Sequence, residues 1–93
     1  MTSSSQPLRR ETTIINDLGL HARAAAKLAK AAQEAESNVW LELGSDRIDA
    51  KQVIDILTLA AAKGDKVTIV AEHTADEGIV DRIVELFNDG FGE

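Results

Sequence analysis

The chain has 93 residues, a formal charge of −6, 44% hydrophobic residues and no cysteine. That length makes one domain around one core. Without thiols the fold must hold by packing alone, with neither disulfides nor thiolate chemistry. The negative charge argues against binding nucleic acid or an anionic membrane, which need a positive face.

The opening MTSSSQP is polar and lacks the apolar segment of a signal peptide. Residues 1–7 therefore read as a flexible tail ahead of a single domain, 8–93, and the cytoplasm is the expected compartment. Insertion into a membrane is not expected. The longest apolar run, Leu59 to Ala62, is far short of the ~20 residues that span a bilayer.

Leu8 to Ile15, rich in Thr and Ile, predicts a strand that Asn16 and Asp17 turn at its end. Ala22 to Ala35 contains eight alanines, the best helix formers, and Leu28 with Ala25, Ala29 and Ala32 draws a narrow apolar stripe. Such small side chains suit close packing against a sheet. Ser37 to Leu43 alternates, with Val39, Leu41 and Leu43 on one face. Gly44-Ser45 signals a hairpin, returning through Asp46 to Ala50.

Lys51 to Ala62 predicts a helix with more apolar positions than one stripe needs. Ile56, Leu59 and Ala60 can serve the core, which leaves Val53, Ile54 and Leu57 on another side. Lys66 to Ala71 is a β-branched strand. Thr74 and Glu77 fit a capping box, and Ile79, Ile83, Leu86 and Phe87 then recur at helical spacing, predicting a helix from Ala75 to Asn88. The order β-α-β-β-α-β-α suggests an antiparallel or mixed sheet with helices on one face, an open-faced sandwich of the α+β class.

Few residues can carry chemistry. No Gly-rich phosphate loop is present, and the two histidines lack ligand partners at metal-binding spacing, so neither a metal nor a cofactor is expected. His73, in AEHTADE, reads as a solvated loop residue. His21 sits instead at the first turn of the alanine-rich helix. There the backbone N–H groups lack partners and the macrodipole is positive. That place disfavours an imidazolium, favours a neutral nucleophilic ring and welcomes an anion at the amides of Ala22, Arg23 and Ala24. Arg23 could pair with phosphate oxygens, and Lys27 and Lys30 continue a basic stripe. On position alone, a plain helix cap and a phosphoryl acceptor fit equally well.

GLHARAAA, Gly19 to Ala26, resembles the active-site signature of the HPr phosphocarrier family of the phosphoenolpyruvate-dependent phosphotransferase system. DAKQVIDILTLAAAKGDKVTI, Asp49 to Ile69, is similar to that family's second-helix and fourth-strand segment. The resemblance implies a four-stranded antiparallel sheet with three helices on one face. It implies that His21 accepts the phosphoryl group on Nδ1, that Arg23 balances it, and that Gly19 and Ala22 shape the loop and first turn. It further implies Enzyme I as donor, Enzyme II A components as acceptors, and a contact surface of Ala22, Val53, Ile54 and Leu57. A monomer is expected. A regulatory docking module on the same fold, or a carrier of the nitrogen-related branch, are the alternatives.

Two residues depart from the family pattern. Ala24 stands where most relatives have proline, which gives up a fixed φ but adds an N–H donor. Gln52 stands in place of the serine that a regulatory kinase modifies in many relatives, so that control should be absent; its amide could cap the second helix weakly.

Overall fold

The computed structural model describes residues 6–93, so the expected tail lies, from Met1 to Ser5, outside the described residues. Seven main elements follow: β1 (Leu8–Thr13), α1 (Ala22–Ala32), β2 (Val39–Leu43), β3 (Asp46–Asp49), α2 (Val53–Thr58), β4 (Lys66–Ala71) and α3 (Glu77–Asn88). The order is the expected one. The strands form one four-stranded sheet in the spatial order β1-β4-β2-β3, with every pairing antiparallel.

Pairing register explains the two faces of the sheet. Opposite residues share a face, so the pairs Thr12↔Val67, Arg10↔Ile69, Leu41↔Ile69 and Val39↔Ala71 all point one way. Val39, Leu41, Val67 and Ile69 are buried there beneath the helices. Arg9, Trp40, Glu42 and Arg47 occupy the other face, where Glu42 holds Arg9 and Arg47 each at 2.7 Å. The Arg47 guanidinium lies 5.4 Å above the Trp40 ring, a cation–π contact. Those two arginines keep the Glu42 carboxyl below its ordinary range, chiefly through the hydrogen bond from Arg47.

Helix α1 meets the core through Ala24, Ala25, Leu28, Ala29, Ala31 and Ala32, all buried. With methyl groups at most of these positions, the helix axis can lie close to its neighbours. Ile56 of α2, Val80, Ile83 and Phe87 of α3, and Phe91 complete the core around it.

Helix α2 is much shorter than the predicted Lys51 to Ala62. It ends at Thr58 because Leu59 and Ala60 close the last turn onto Ile56 and Leu57 carbonyls at 3.1 Å each. Ala60 then takes φ 51°, a left-handed position that helix C-termini use to break away. Ala60 is therefore exposed rather than core. Gln52 holds the N-cap position of α2 without any side-chain capping bond, so its expected weak cap does not form.

The capping box at Thr74 is also replaced. Thr74–Asp76 form a 3-10 turn, and α3 starts at Glu77 without a side-chain cap. The reason lies in competing partners. Asp76 points inward and accepts the backbone N–H groups of Glu36 and Ser37 at 2.9 Å each, together with the Ser37 hydroxyl. Glu77 reaches outward to Arg10 at 3.1 Å. Asp76 thus ties the exit of α1 to the entrance of α3, and its donors, Ser37 hydroxyl foremost, hold its carboxyl below the usual range.

That arrangement fixes an acid dependence. A carboxyl with a depressed folded-state pKa adds stability that is complete above about pH 4 and is lost as pH falls through the folded value. Asp76→Asn should destabilise the chain by roughly 1–3 kcal/mol near neutral pH, since it leaves buried donors poorly paired. The gap from wild type should shrink under acid. Urea unfolding across that pH range reads both effects.

Candidate functional site

The loop between β1 and α1 is held from three directions. Gly19 donates its N–H to the Asn16 carbonyl at 3.1 Å and adopts φ +63°. The buried Asn16 side chain returns the contact, donating from Nδ2 to the Gly19 carbonyl at 2.8 Å. Leu20 donates its N–H to the Ala61 carbonyl at 3.0 Å, so the segment following α2 is the wall on which the loop rests. Farther out, Lys63 pairs with Asp17 at 2.7 Å, which accounts for the lowered Asp17 carboxyl.

His21 emerges from this loop as the N-cap of α1, with extended backbone, φ −75° and ψ −178°. Its carbonyl accepts the Ala25 N–H at 2.8 Å, which closes the first helical turn. Its side chain makes no cap bond. The amides of Ala22, Arg23 and Ala24 therefore belong to the unpartnered group at the positive end of the helix dipole. Ala22 and Arg23 are exposed, whereas Ala24 is fully buried. With alanine at position 24 the helix entry is regular.

The His21 ring is only 25% exposed, and its Nε2 faces the Glu93 carboxylate. Glu93 is also reached by the Asn16 Nδ2 at 3.1 Å. The His21 bond is the largest cause of a Glu93 carboxyl below the ordinary range, with the Asn16 bond and the Arg23 charge adding to it. With a carboxylate at Nε2, the neutral ring carries its proton there and presents a lone pair at Nδ1.

Glu93 arrives by a short route after α3. Gly90–Gly92 form a 3-10 turn in which Phe91 takes φ 57°. Phe91 is 1% exposed and meets Phe87 edge to face, with centroids 4.9 Å apart. Lys27 of α1 donates to the Phe91 carbonyl at 2.6 Å. Lys27 is thus engaged at this turn, so the expected basic stripe running through it does not stand free.

Of the residues anticipated from sequence, His21, Arg23 and the first-turn amides converge at one place. The α2 residues divide. Ile54 is 72% exposed and Leu57 36% exposed, as a contact surface requires, but Val53 is half-buried and packs on the core. The exposed Ile15 and Leu18, at 51% and 70%, belong to the same loop as His21. Sequence patterning did not single them out, because an isolated apolar residue in a loop has no period. Glu93 carries no local signal in the sequence, since 72 positions separate it from His21. His73 is exposed, far along the chain from this cluster. No group of three or more metal-ligating side chains occurs among the described residues, and none of their helices is long and apolar enough to cross a membrane.

Residues 8–89 match the family described as PTS HPr component phosphorylation site. The chain is 40% identical over 86 residues to the phosphocarrier protein HPr of Cupriavidus necator, covering 92% of this chain and 97% of that one. It is 35% identical over 86 residues to the phosphocarrier protein NPr of Shewanella violacea, covering 92% and 94%. Among solved structures, HPr-C-His from Thermoanaerobacter tengcongensis superposes with a TM-score of 0.87 at 31% identity, covering 92% of this chain and 97% of that one.

Close approach at Gly19 sets a stringent requirement. A Cβ there would stand 2.5 Å from the Ala61 carbonyl oxygen and 2.9 Å from the Ala62 Cα. Both are backbone atoms, so no side chain can swing aside. Gly19→Ala should cost more than about 2 kcal/mol, from left-handed strain together with overpacking. It should also displace His21. Thermal melting and the amide chemical shifts of residues 19–25 would register the two effects.

Proposed function

Because the chain belongs to the HPr family of the phosphotransferase system, we propose that it is a histidine phosphocarrier with His21 as the acceptor. The observation that carries this reading is the placement of the ring. Nε2 is taken by a carboxylate, which leaves Nδ1 as the ring nitrogen for the incoming group, on the residue that caps the free amides of the α1 start. In the transfer, Nδ1 attacks phosphorus and the bond from phosphorus to the donor atom breaks. Its electron pair leaves with the donor. The phosphoryl oxygens are then met by the amides of Ala22, Arg23 and Ala24 and by the exposed Arg23 guanidinium.

The same steps run in reverse toward the acceptor. In our reading the donor is Enzyme I and the acceptors are Enzyme II A components. The carrier supplies a positioned nucleophile and an anion site, while its partners supply the remaining machinery. Ile54 and Leu57 on α2, with Ala22 beside the histidine, form the surface on which partners dock. Gln52 leaves that helix without a hydroxyl at the position where a phosphoserine would repel them.

Two measurements test the proposal. Incubation with phosphoenolpyruvate and Enzyme I of either the sugar or the nitrogen branch should add one acid-labile phosphate, read by intact mass. The branch whose Enzyme I gives the faster gain identifies the donor. His21→Ala should abolish the gain and His73→Ala should leave it intact; labelling of His21→Ala at the wild-type level overturns the assignment. Separately, Ile54→Glu should weaken Enzyme I binding at least tenfold while circular dichroism and melting stay near wild type. Unchanged binding would move the docking surface elsewhere.

A further inference from the structure

A second concave surface lies between α1 and α3. Lys27, Lys30, Ala31 and Glu34 of α1 meet Arg82 and Leu86 of α3 around a groove of about 320 Å³, near the lower end of the volumes that hold small molecules. We propose that this groove binds a small amphipathic carboxylate. Its apolar body lies on Ala31 and Leu86, and its charge lies among the two lysines and Arg82. No residue of α2 and no residue of the His21 loop lines the groove. The site is therefore separate from the docking surface of Ile54 and Leu57, and it does not depend on the reading of His21 as phosphoacceptor.

Spacing and side-chain size make the groove. Residues three and four apart share one face of a helix, which places Lys27, Lys30, Ala31 and Glu34 along one side of α1. Ala31 is buried and Leu86 half-buried, so these two form the floor. The methyl group of Ala31 leaves space between the helices that a larger side chain would close. Exposed charged side chains rise around that floor, and their hydrocarbon stems extend the apolar lining.

Charge decides what the groove takes. Three cations and one carboxylate line it, in a chain with 16 acidic and 10 basic residues. Despite that excess of carboxylates, neither Lys27 nor Lys30 joins an ion pair among the described residues. Two ammonium groups three residues apart on one helix repel each other, and an anion placed between them relieves the repulsion. Lys27 is already held in position, because its Nζ donates to the Phe91 carbonyl at 2.6 Å. An ammonium has further N–H donors to offer a ligand. Arg82 shows the carboxylate chemistry directly, since it grips Glu34 at 2.8 Å. Both partners of that pair are about half exposed, so it is weak and can yield to a ligand carboxylate on the same planar fork. An apolar body completes the fit, because Ala31 and Leu86 offer a fully polar anion nothing to bind.

The test titrates the full chain with 3-phenylpropionate and follows the backbone amides by 15N NMR. The alcohol 3-phenylpropanol has the same body without the charge, and acetate has the charge without the body. Phenylpropionate should bind with a Kd of about 1 mM or below, the range for a ligand of its size. Amide shifts should concentrate in residues 27–34 and 82–86, and in the Gly90–Gly92 turn that Lys27 holds. Phenylpropanol and acetate should each bind at least tenfold more weakly. Lys30→Gln and Arg82→Gln, both at exposed positions, should melt near the wild-type temperature and raise the Kd at least threefold. The proposal is overturned by shifts confined to α2, by no binding, by equal affinity for either control, or by unchanged affinity in both variants. Binding of phenylpropionate in this groove by a chain that gains no phosphate keeps the site and removes only the carrier reading.

Discussion

Gly19 rests on the backbone of Ala61 and Ala62 with no space for a Cβ, and the orientation of the functional loop depends on that contact. It joins the end of β1 to the segment leaving α2. Ile14 reinforces it through hydrogen bonds with Gly64 and Asp65 at 2.8 and 3.0 Å. The loop cannot rotate without breaking these bonds, and His21 is the next residue but one. Helix α2 has to stop early for the wall to exist. A helix continued through Ala62 would turn the Ala61 carbonyl along the helix axis and take it from the Leu20 N–H, which it accepts at 3.0 Å.

Two small residues thus act through backbone geometry alone. Gly19 supplies a conformation and a vacancy, and Ala60 supplies the left-handed exit from α2. The His21 ring is placed from a third direction, by Glu93 and the buried Phe91. A histidine held by the loop, the helix start and the Gly90–Glu93 segment keeps one orientation although it stands near the surface. That suits a carrier, whose reacting group must be accessible to successive partners and still be presented in one way.

Much of the architecture was readable in the sequence. The alternation in Val39–Leu43, the β-branched run Lys66–Ala71 and the alanine stripe of α1 each follow a single strong periodicity, and each formed where that periodicity placed it. The α2 boundary was not legible because Leu59 to Ala62 is as good a helix former as the residues before it; a tertiary contact outweighs propensity there. The apparent capping box at Thr74 failed because Asp76 had buried donors to satisfy and Glu77 had Arg10. At the candidate site, GLHAR singles out His21 and Arg23, since both belong to one helix start. Glu93 lies outside any local pattern. Its contact depends on how far a 3-10 turn brings the chain after α3, and no spacing rule encodes that. Val53 reads from sequence as exposed because a six-residue helix offers too little sequence to decide which apolar residue faces inward.

The strand order has a consequence for how the chain is made. β4 lies between β1 and β2, yet it is the last strand to be synthesised. Until residues 66–71 emerge, β1 has no partner and the β2–β3 hairpin is the one strand pairing open to the nascent chain. An isolated hairpin is marginal in water. Assembly of the sheet therefore waits on late contacts between distant positions, the kind that slow folding. The early segments must remain dispersed meanwhile, and the charges of β1, with Arg9, Arg10 and Glu11 in its six residues, oppose premature edge-to-edge association.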